Sequence, residues 1–257
     1  GVLDELAMEM GEYDEDDDFE HAFDAYERED YQTAYKLFLS LANKGDADAQ
    51  FSVGDMLEDG LGVEQDYKQS IKWFRLAAKQ GDADAQYNLG CMYDKGQAVL
   101  QDYKEAIKWF RLAAEQGEAE AQYNLGVMYD EGQGVSQDYK EALKWYRLAA
   151  EQGDAEAQRS LGGMYHEGLG VEQDYKEAEK WWRLSAEPVV FEGDAGAQCD
   201  LGMMYVKGEG VAQDYKEAEK WFRLAAEQGN ATAQSNLGII YNEGQGVEKN
   251  YKETVKW

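Results

Sequence analysis

Gly81 to Gln116 reads GDADAQYNLGCMYDKGQAVLQDYKEAIKWFRLAAEQ, and the phrase returns with small changes from Gly45 nearly to the last residue. The glycines that open each copy are Gly45, Gly81, Gly117, Gly153, Gly193 and Gly229, at spacings of 36, 36, 36, 40 and 36 residues. Self-similarity at a fixed period of this length is the signature of stacked supersecondary units, a solenoid. Each copy reads as two helices. After Gly117, helix A runs through AEAQYNLGVMYDE, with Ala121, Leu125, Met128 and Tyr129 in an apolar stripe. The loop Gly132-Gln-Gly-Val follows, where glycine suits backbone with positive φ. Helix B starts at Asp138, with Glu141 three residues on in the spacing of a capping box, and buries Tyr139, Ala142, Trp145, Tyr146 and Ala149. It ends before Gly153, a C′ glycine. Small residues such as Gly126 and Ala142 let the two helices approach closely.

Three departures stand out. Ala98 replaces the second loop glycine, which predicts a strained or reshaped turn. Pro188-Val-Val-Phe191 inserts four residues before Gly193, so the helix B that begins at Asp174 should end there in an extended bulge. The sequence stops at Trp257, midway through a helix B, so either the native chain continues or this end packs on something. Before the repeats, residues 1–18 hold nine acids and no base and read as an acidic tail, with one short helix in VLDELAMEM. The run lacks the spaced ligands and central glycine of a calcium loop. Residues 19–44 read as a degenerate first repeat without the glycine loop, and 45–257 as the solenoid proper, its last repeat incomplete.

The 257 residues carry 25 bases and 53 acids, a net charge of −28. Such a surface repels nucleic acid and anionic lipid and favours a basic protein or peptide as partner. No run of 18 apolar residues exists, so no membrane insertion is expected. No signal peptide is visible and the two cysteines, Cys91 and Cys199, lie three repeats apart; a cytoplasmic setting is favoured over a periplasmic or secreted one that needs a removed signal.

The phrase A-x-A-Q-x-x-L-G-x-M-Y-x-x-G-x-G-V-x-Q-D-Y-x-x-A-x-K-W-x-R-L-A-A resembles the Sel-one-like repeat (SLR) family, relatives of the tetratricopeptide repeats, over about residues 45–257. The resemblance implies an all-α, right-handed superhelical solenoid with helices A on the concave face, and a scaffold or adaptor role in protein complexes. Some bacterial members were described as penicillin-binding, but with a disulfide in each repeat that this chain lacks. In tetratricopeptide relatives, ligands are held by helix A residues around the Leu-Gly pair. Carried onto this chain, that gives a partner-binding set of Phe51, Asp55, Tyr87, Asn88, Cys91, Tyr123, Asn124, Val127, Arg159, Met203, Asn236 and Ile239. Phe51, Tyr87 and Tyr123 would form an aromatic stripe, or simply cover neighbouring helices, and the asparagines beside them suit an extended peptide backbone.

Charge sharpens the expectation. Lys104, Lys108 and Arg111 share one helix B face, and the equivalent positions hold 17 of the 25 bases. From each opening glycine to the glycine of its loop, the helix A segments sum to −5, −2, −4, −2, −1 and −1. The groove should be acidic, most so in its N-terminal half, although some of these acids cap helix A.

Chemistry of catalysis is hard to find. No His-Glu-x-x-His or zinc spacing occurs, and the glycine loops lack the strand and Gly-Lys-Ser/Thr ending of a phosphate cradle. His166 reads as an ordinary exposed histidine rather than a pH-sensitive groove contact, and Cys91 as a groove contact with no histidine in register. The sequence therefore predicts a non-enzymatic interaction scaffold without cofactor or metal, binding a basic protein or peptide in an acidic concave groove. The alternatives are an immunity-type protein neutralising a basic toxin, and, of a different class, an enzyme or β-lactam-binding protein.

Overall fold

A computed structural model describes residues 15–187 and 193–257. The helix expected in VLDELAMEM and the bulge expected at 188–191 lie outside the described residues. Among those described there are 14 helices and no strand. They fall into two compact units, residues 1–118 and 119–257.

The first unit holds α1 (Glu15–Glu27), α2 (Tyr31–Lys44), α3 (Ala47–Asp59), α4 (Tyr67–Gln80), α5 (Ala83–Lys95) and α6 (Tyr103–Glu115). Helix α1 thus begins inside the stretch expected as tail. The second unit holds α7 (Ala119–Glu131), α8 (Tyr139–Glu151), α9 (Ala155–Glu167), α10 (Tyr175–Ala186), α11 (Ala195–Lys207), α12 (Tyr215–Glu227), α13 (Ala231–Glu243) and α14 (Tyr251–Lys256). From α3 onward, odd helices are A and even helices B, and each A packs on the B that follows it.

The ends of the helices follow from their caps. Asp102 precedes α6 and accepts hydrogen bonds from the backbone N–H groups of Lys104 (3.0 Å) and Glu105 (3.2 Å). The expected capping box is only half made. Glu105 turns to Lys108 instead, and the N–H of Asp102 donates to the carbonyl of Tyr93, 2.9 Å away, closing the loop onto helix A. Gly96 takes φ +69°, and Ala98 is held at φ +59°, the same left-handed region, so the turn keeps its shape and Ala98 carries the strain.

Glycine in helix A sets the packing. A Cβ on Gly90 would lie 2.5 Å from the Phe110 ring, and one on Gly162 2.5 Å from Trp182. Each B ring therefore lies directly on A backbone. Successive repeats are then joined by buried glutamines. Gln86 donates to the Ala78 carbonyl (3.1 Å) and accepts from Gln116 (2.9 Å), which also donates to the Gly81 carbonyl (2.9 Å). These bonds satisfy polar groups between apolar layers. At Gln158 the ladder changes, because the position that would supply the next glutamine is Pro188; there Ser185 donates to the Ala155 carbonyl (2.8 Å).

Candidate functional site

The sequence-predicted residues lie on helices A, and their surroundings differ from one helix to the next. In the first unit, Phe51 and Asp55 are on α3, and Tyr87, Asn88 and Cys91 on α5; all five are half-buried. The Phe51 ring leans on Phe74 (5.7 Å between centroids) and Tyr87 on Phe110 (5.9 Å), so each covers its own hairpin while keeping an open edge. The Asn88 amide makes no hydrogen bond among the described residues. Cys91 is hydrogen-bonded to Tyr87, and burial pushes its thiol up, so it stays protonated and is a poor nucleophile.

The end of α3 concentrates negative charge. Burial, then the neighbouring Asp59, raises the Asp55 carboxyl above the usual range. Burial also raises Glu58, with Asp55 and Asp59 adding to it and Lys95 opposing. Asp55 has neither an ion pair nor a hydrogen bond among the described residues. The rings of Phe23 and Tyr26 on α1, Phe38 on α2 and Phe51 on α3 wall a cavity of about 180 Å³ beside Asp55 and Ser52. Phe23, Tyr26 and Phe38 were missed by reasoning from the repeat phrase, since α1 and α2 lack its loop. The aromatic density of residues 19–38 was the available signal.

In the second unit, Tyr123, Asn124 and Val127 are half-buried on α7, and Tyr123 leans on Tyr146 (5.8 Å). The Asn124 amide has no hydrogen bond among the described residues. The remaining candidates are mostly committed to the fold. Arg159 reaches Asp200 (3.0 Å) and Asp194 (3.7 Å) on the next repeat. Asn236 bonds back to the Thr232 carbonyl (2.9 Å), and Met203 packs into the core around Cys199 and Phe222. Ile239 is exposed.

His166 is not the exposed histidine the sequence suggested. Its side chain is 15% exposed, with its two ring nitrogens 2.7 Å from Glu167 and 2.9 Å from Glu209. Glu209 belongs to the loop of the following repeat, a contact that the spacing within one repeat does not reveal. Part of the basic face of helix B is engaged internally, while Lys68, Lys104, Lys140, Lys176 and Lys216 stay exposed. Lys180 pairs with Glu177 (3.0 Å), Arg75 donates to the Tyr93 hydroxyl (2.6 Å) and Arg183 to that of Tyr205 (2.7 Å). Among the described residues, no group of three or more His, Cys, Asp or Glu is placed to hold a metal ion, and no helix is long and apolar enough to cross a membrane.

The alternating hairpins and the A-face glycines are reflected in the family match: the Sel1 repeat matches residues 20–46, 47–82, 83–118, 119–154, 155–187, 195–230 and 231–257. The chain belongs to the Sel1 repeat family. Its fold is therefore the all-α SLR solenoid, and Sel1 repeat proteins are generally protein-interaction scaffolds. The crystal structure of a Sel1 repeat protein from Oxalobacter formigenes is 37% identical, with a TM-score of 0.83 over 94% of this chain and 95% of that one. That of c5321, a protective antigen present in uropathogenic Escherichia coli strains and displaying an SLR fold, is 38% identical with a TM-score of 0.82. It is matched over 88% of this chain, which spans 48% of that one, about half its length. Immunity protein Pa5087 from Pseudomonas aeruginosa is more distant, at 19% identity and a TM-score of 0.47 over 82% of this chain and 78% of that one. No curated protein matches the chain.

Proposed function

We propose that this Sel1 repeat protein is a non-enzymatic scaffold that binds a basic, extended segment of a partner protein on the helix A face of its N-terminal unit. The observation that carries this reading is the end of α3. Asp55, Glu58 and Asp59 crowd together there, with Lys95 as the cation that acts on Glu58. A basic segment would relieve that repulsion, and the open edges of Phe51 and Tyr87 and the uncommitted Asn88 amide supply apolar contact and backbone pairing. The second unit offers a weaker version through Tyr123 and Asn124, because its Arg159 and Asn236 are already engaged.

A fluorescent lysine-rich peptide titrated against the full chain at 50 and 300 mM NaCl tests the reading. Binding should weaken steeply with salt, since Coulomb attraction between exposed charges is screened within about 10 Å at 0.1 M. A Glu58→Gln/Asp59→Asn variant, which keeps the packing, should bind at least several-fold more weakly. Equal affinity of the variant, or preference for an acidic peptide, would remove this face as the docking site.

A further inference from the structure

The cavity between α1, α2 and α3 combines two features that rarely serve packing alone. Its walls are aromatic: Phe23, Tyr26, Phe38 and Phe51. These rings are braced from behind, Tyr26 by Tyr31 (5.3 Å), Phe38 by Phe19 (5.3 Å) and Phe51 by Phe74 (5.7 Å). The cavity is thus preformed, and Phe23, 49% exposed, stands at its open side. The single charged group is Asp55, whose carboxylate has no hydrogen bond or ion pair among the described residues. Ser52, the other polar lining residue, already donates to the Asp48 carbonyl (2.8 Å) and does not neutralise it.

Size and charge together select the occupant. At about 180 Å³ the space is smaller than the roughly 300–1,000 Å³ of small-molecule sites, and matches one side chain. An apolar side chain would bury Asp55 more deeply while leaving its charge unmet, which is costly. An alkyl cation meets both demands: its stem covers the rings, its charge is drawn to aromatic faces and it pairs with the carboxylate. We propose that this pocket takes a single aliphatic cationic side chain, lysine or arginine, from the partner's basic segment. Burial, and after it repulsion by the adjacent Asp59, already hold the Asp55 carboxyl above its ordinary range, and a paired cation offsets both. Tyr26 lies in the same field, its hydroxyl pushed up by burial and then by Asp55.

The inference rests on the reading of the N-terminal unit as a docking face and adds its anchor, so its test has a separate arm for each. The full chain, labelled at phenylalanine and tyrosine rings, is titrated by NMR with n-butylammonium, n-propylguanidinium and 1-butanol at constant ionic strength. The cations should give saturable shifts of Phe23 and Tyr26 with millimolar affinity, the stronger of the two naming the residue, and the alcohol should bind at least tenfold more weakly. Asp55→Asn, which keeps side-chain shape and removes a half-buried charge, should weaken cation binding at least tenfold; Phe23→Ala should also weaken it. Equal response to the alcohol, or cation binding unaltered by Asp55→Asn, would overturn the proposal. The second arm repeats the peptide titration on the Asp55→Asn chain. A peptide that binds both forms equally retains the docking face and removes the pocket. Small cations that bind while no basic peptide does retain the pocket and remove the docking face.

Discussion

Ser70 lies wholly inside the first unit, 0% exposed, with no hydrogen-bond partner for its hydroxyl among the described residues. The same register position holds Ala106, Ala142, Ala178 and Ala218 in the next four helices B, and Thr254 in α14. A buried unsatisfied hydroxyl costs about 1–3 kcal/mol, and alanine is also the better helix former. Ser70→Ala should therefore stabilise the protein by about 1 kcal/mol in denaturant titration, read as a higher midpoint at unchanged slope; a lower midpoint would mean that the hydroxyl has a partner after all. Ala98 is the complementary case. It sits at φ +59°, where the equivalent Gly62, Gly134, Gly170, Gly210 and Gly246 take φ between +67° and +72°. The left-handed region costs a residue with a Cβ about 1–2 kcal/mol, while glycine gives back about 0.5–1 in unfolded-chain entropy. Ala98→Gly should then gain about 0.5 kcal/mol or slightly more. A loss would show that the Ala98 methyl makes packing contacts worth more than the strain.

At the scale of the helix, the A–B contact depends on which glycines face a ring. A Cβ on Gly126 would lie 2.6 Å from the Tyr146 ring, whereas one on Gly163, on the neighbouring α9, meets nothing within 4 Å. Overpacking a tight core costs about 1–3 kcal/mol, and the helix propensity of alanine over glycine returns about 1. Gly126→Ala should lower the melting temperature by a few degrees while Gly163→Ala raises it; the same sign for both would refute ring-on-backbone packing as the determinant. This element level was the most legible part of the sequence, because a 3.6-residue apolar period, a glycine within it and an Asp cap each report local physics. The pairings between neighbouring repeats were not legible. Arg159 read as a groove residue, yet it is tied to Asp194 and Asp200, and Gly196 makes the room, since a Cβ there would lie 2.4 Å from the guanidinium. His166 and Glu209 meet in the same way. Periodicity states that helices stack; it does not state which side chains across the stack meet, least of all past a four-residue insertion. The aromatic pocket escaped for the same reason, as Phe23, Tyr26 and Phe38 belong to helices that do not follow the phrase.

For the whole molecule, the net charge of −28 sets how stability depends on pH. Burial raises the carboxyls of Asp55, Glu58, Asp82, Asp94, Asp130, Asp154 and Asp200 above their ordinary values, burial being the largest cause in each. A group whose folded pKa is raised binds protons more readily in the native state than in the unfolded one. Stability must then increase as pH falls through the folded values, down to the unfolded values of about 3.9 for Asp and 4.3 for Glu. Asp66 works in the opposite direction, lowered first by its side-chain hydrogen bond from Gln69. Its contribution is present above about 3.9 and is lost only as pH falls below that. The optimum should lie on the acid side of neutrality, above the isoelectric point of about 4.3, where solubility falls. The melting temperature should accordingly rise as the pH is lowered from 7.5 towards 5. Added salt separates the two sources of this gain, because it screens repulsion among exposed charges but not the desolvation of half-buried carboxyls. At 0.5 M NaCl the difference between the two pH values should shrink without vanishing. Complete loss of the difference in salt would assign the effect to surface repulsion alone, and a melting temperature that falls over the same interval would contradict the raised carboxyls that support the proposed docking face.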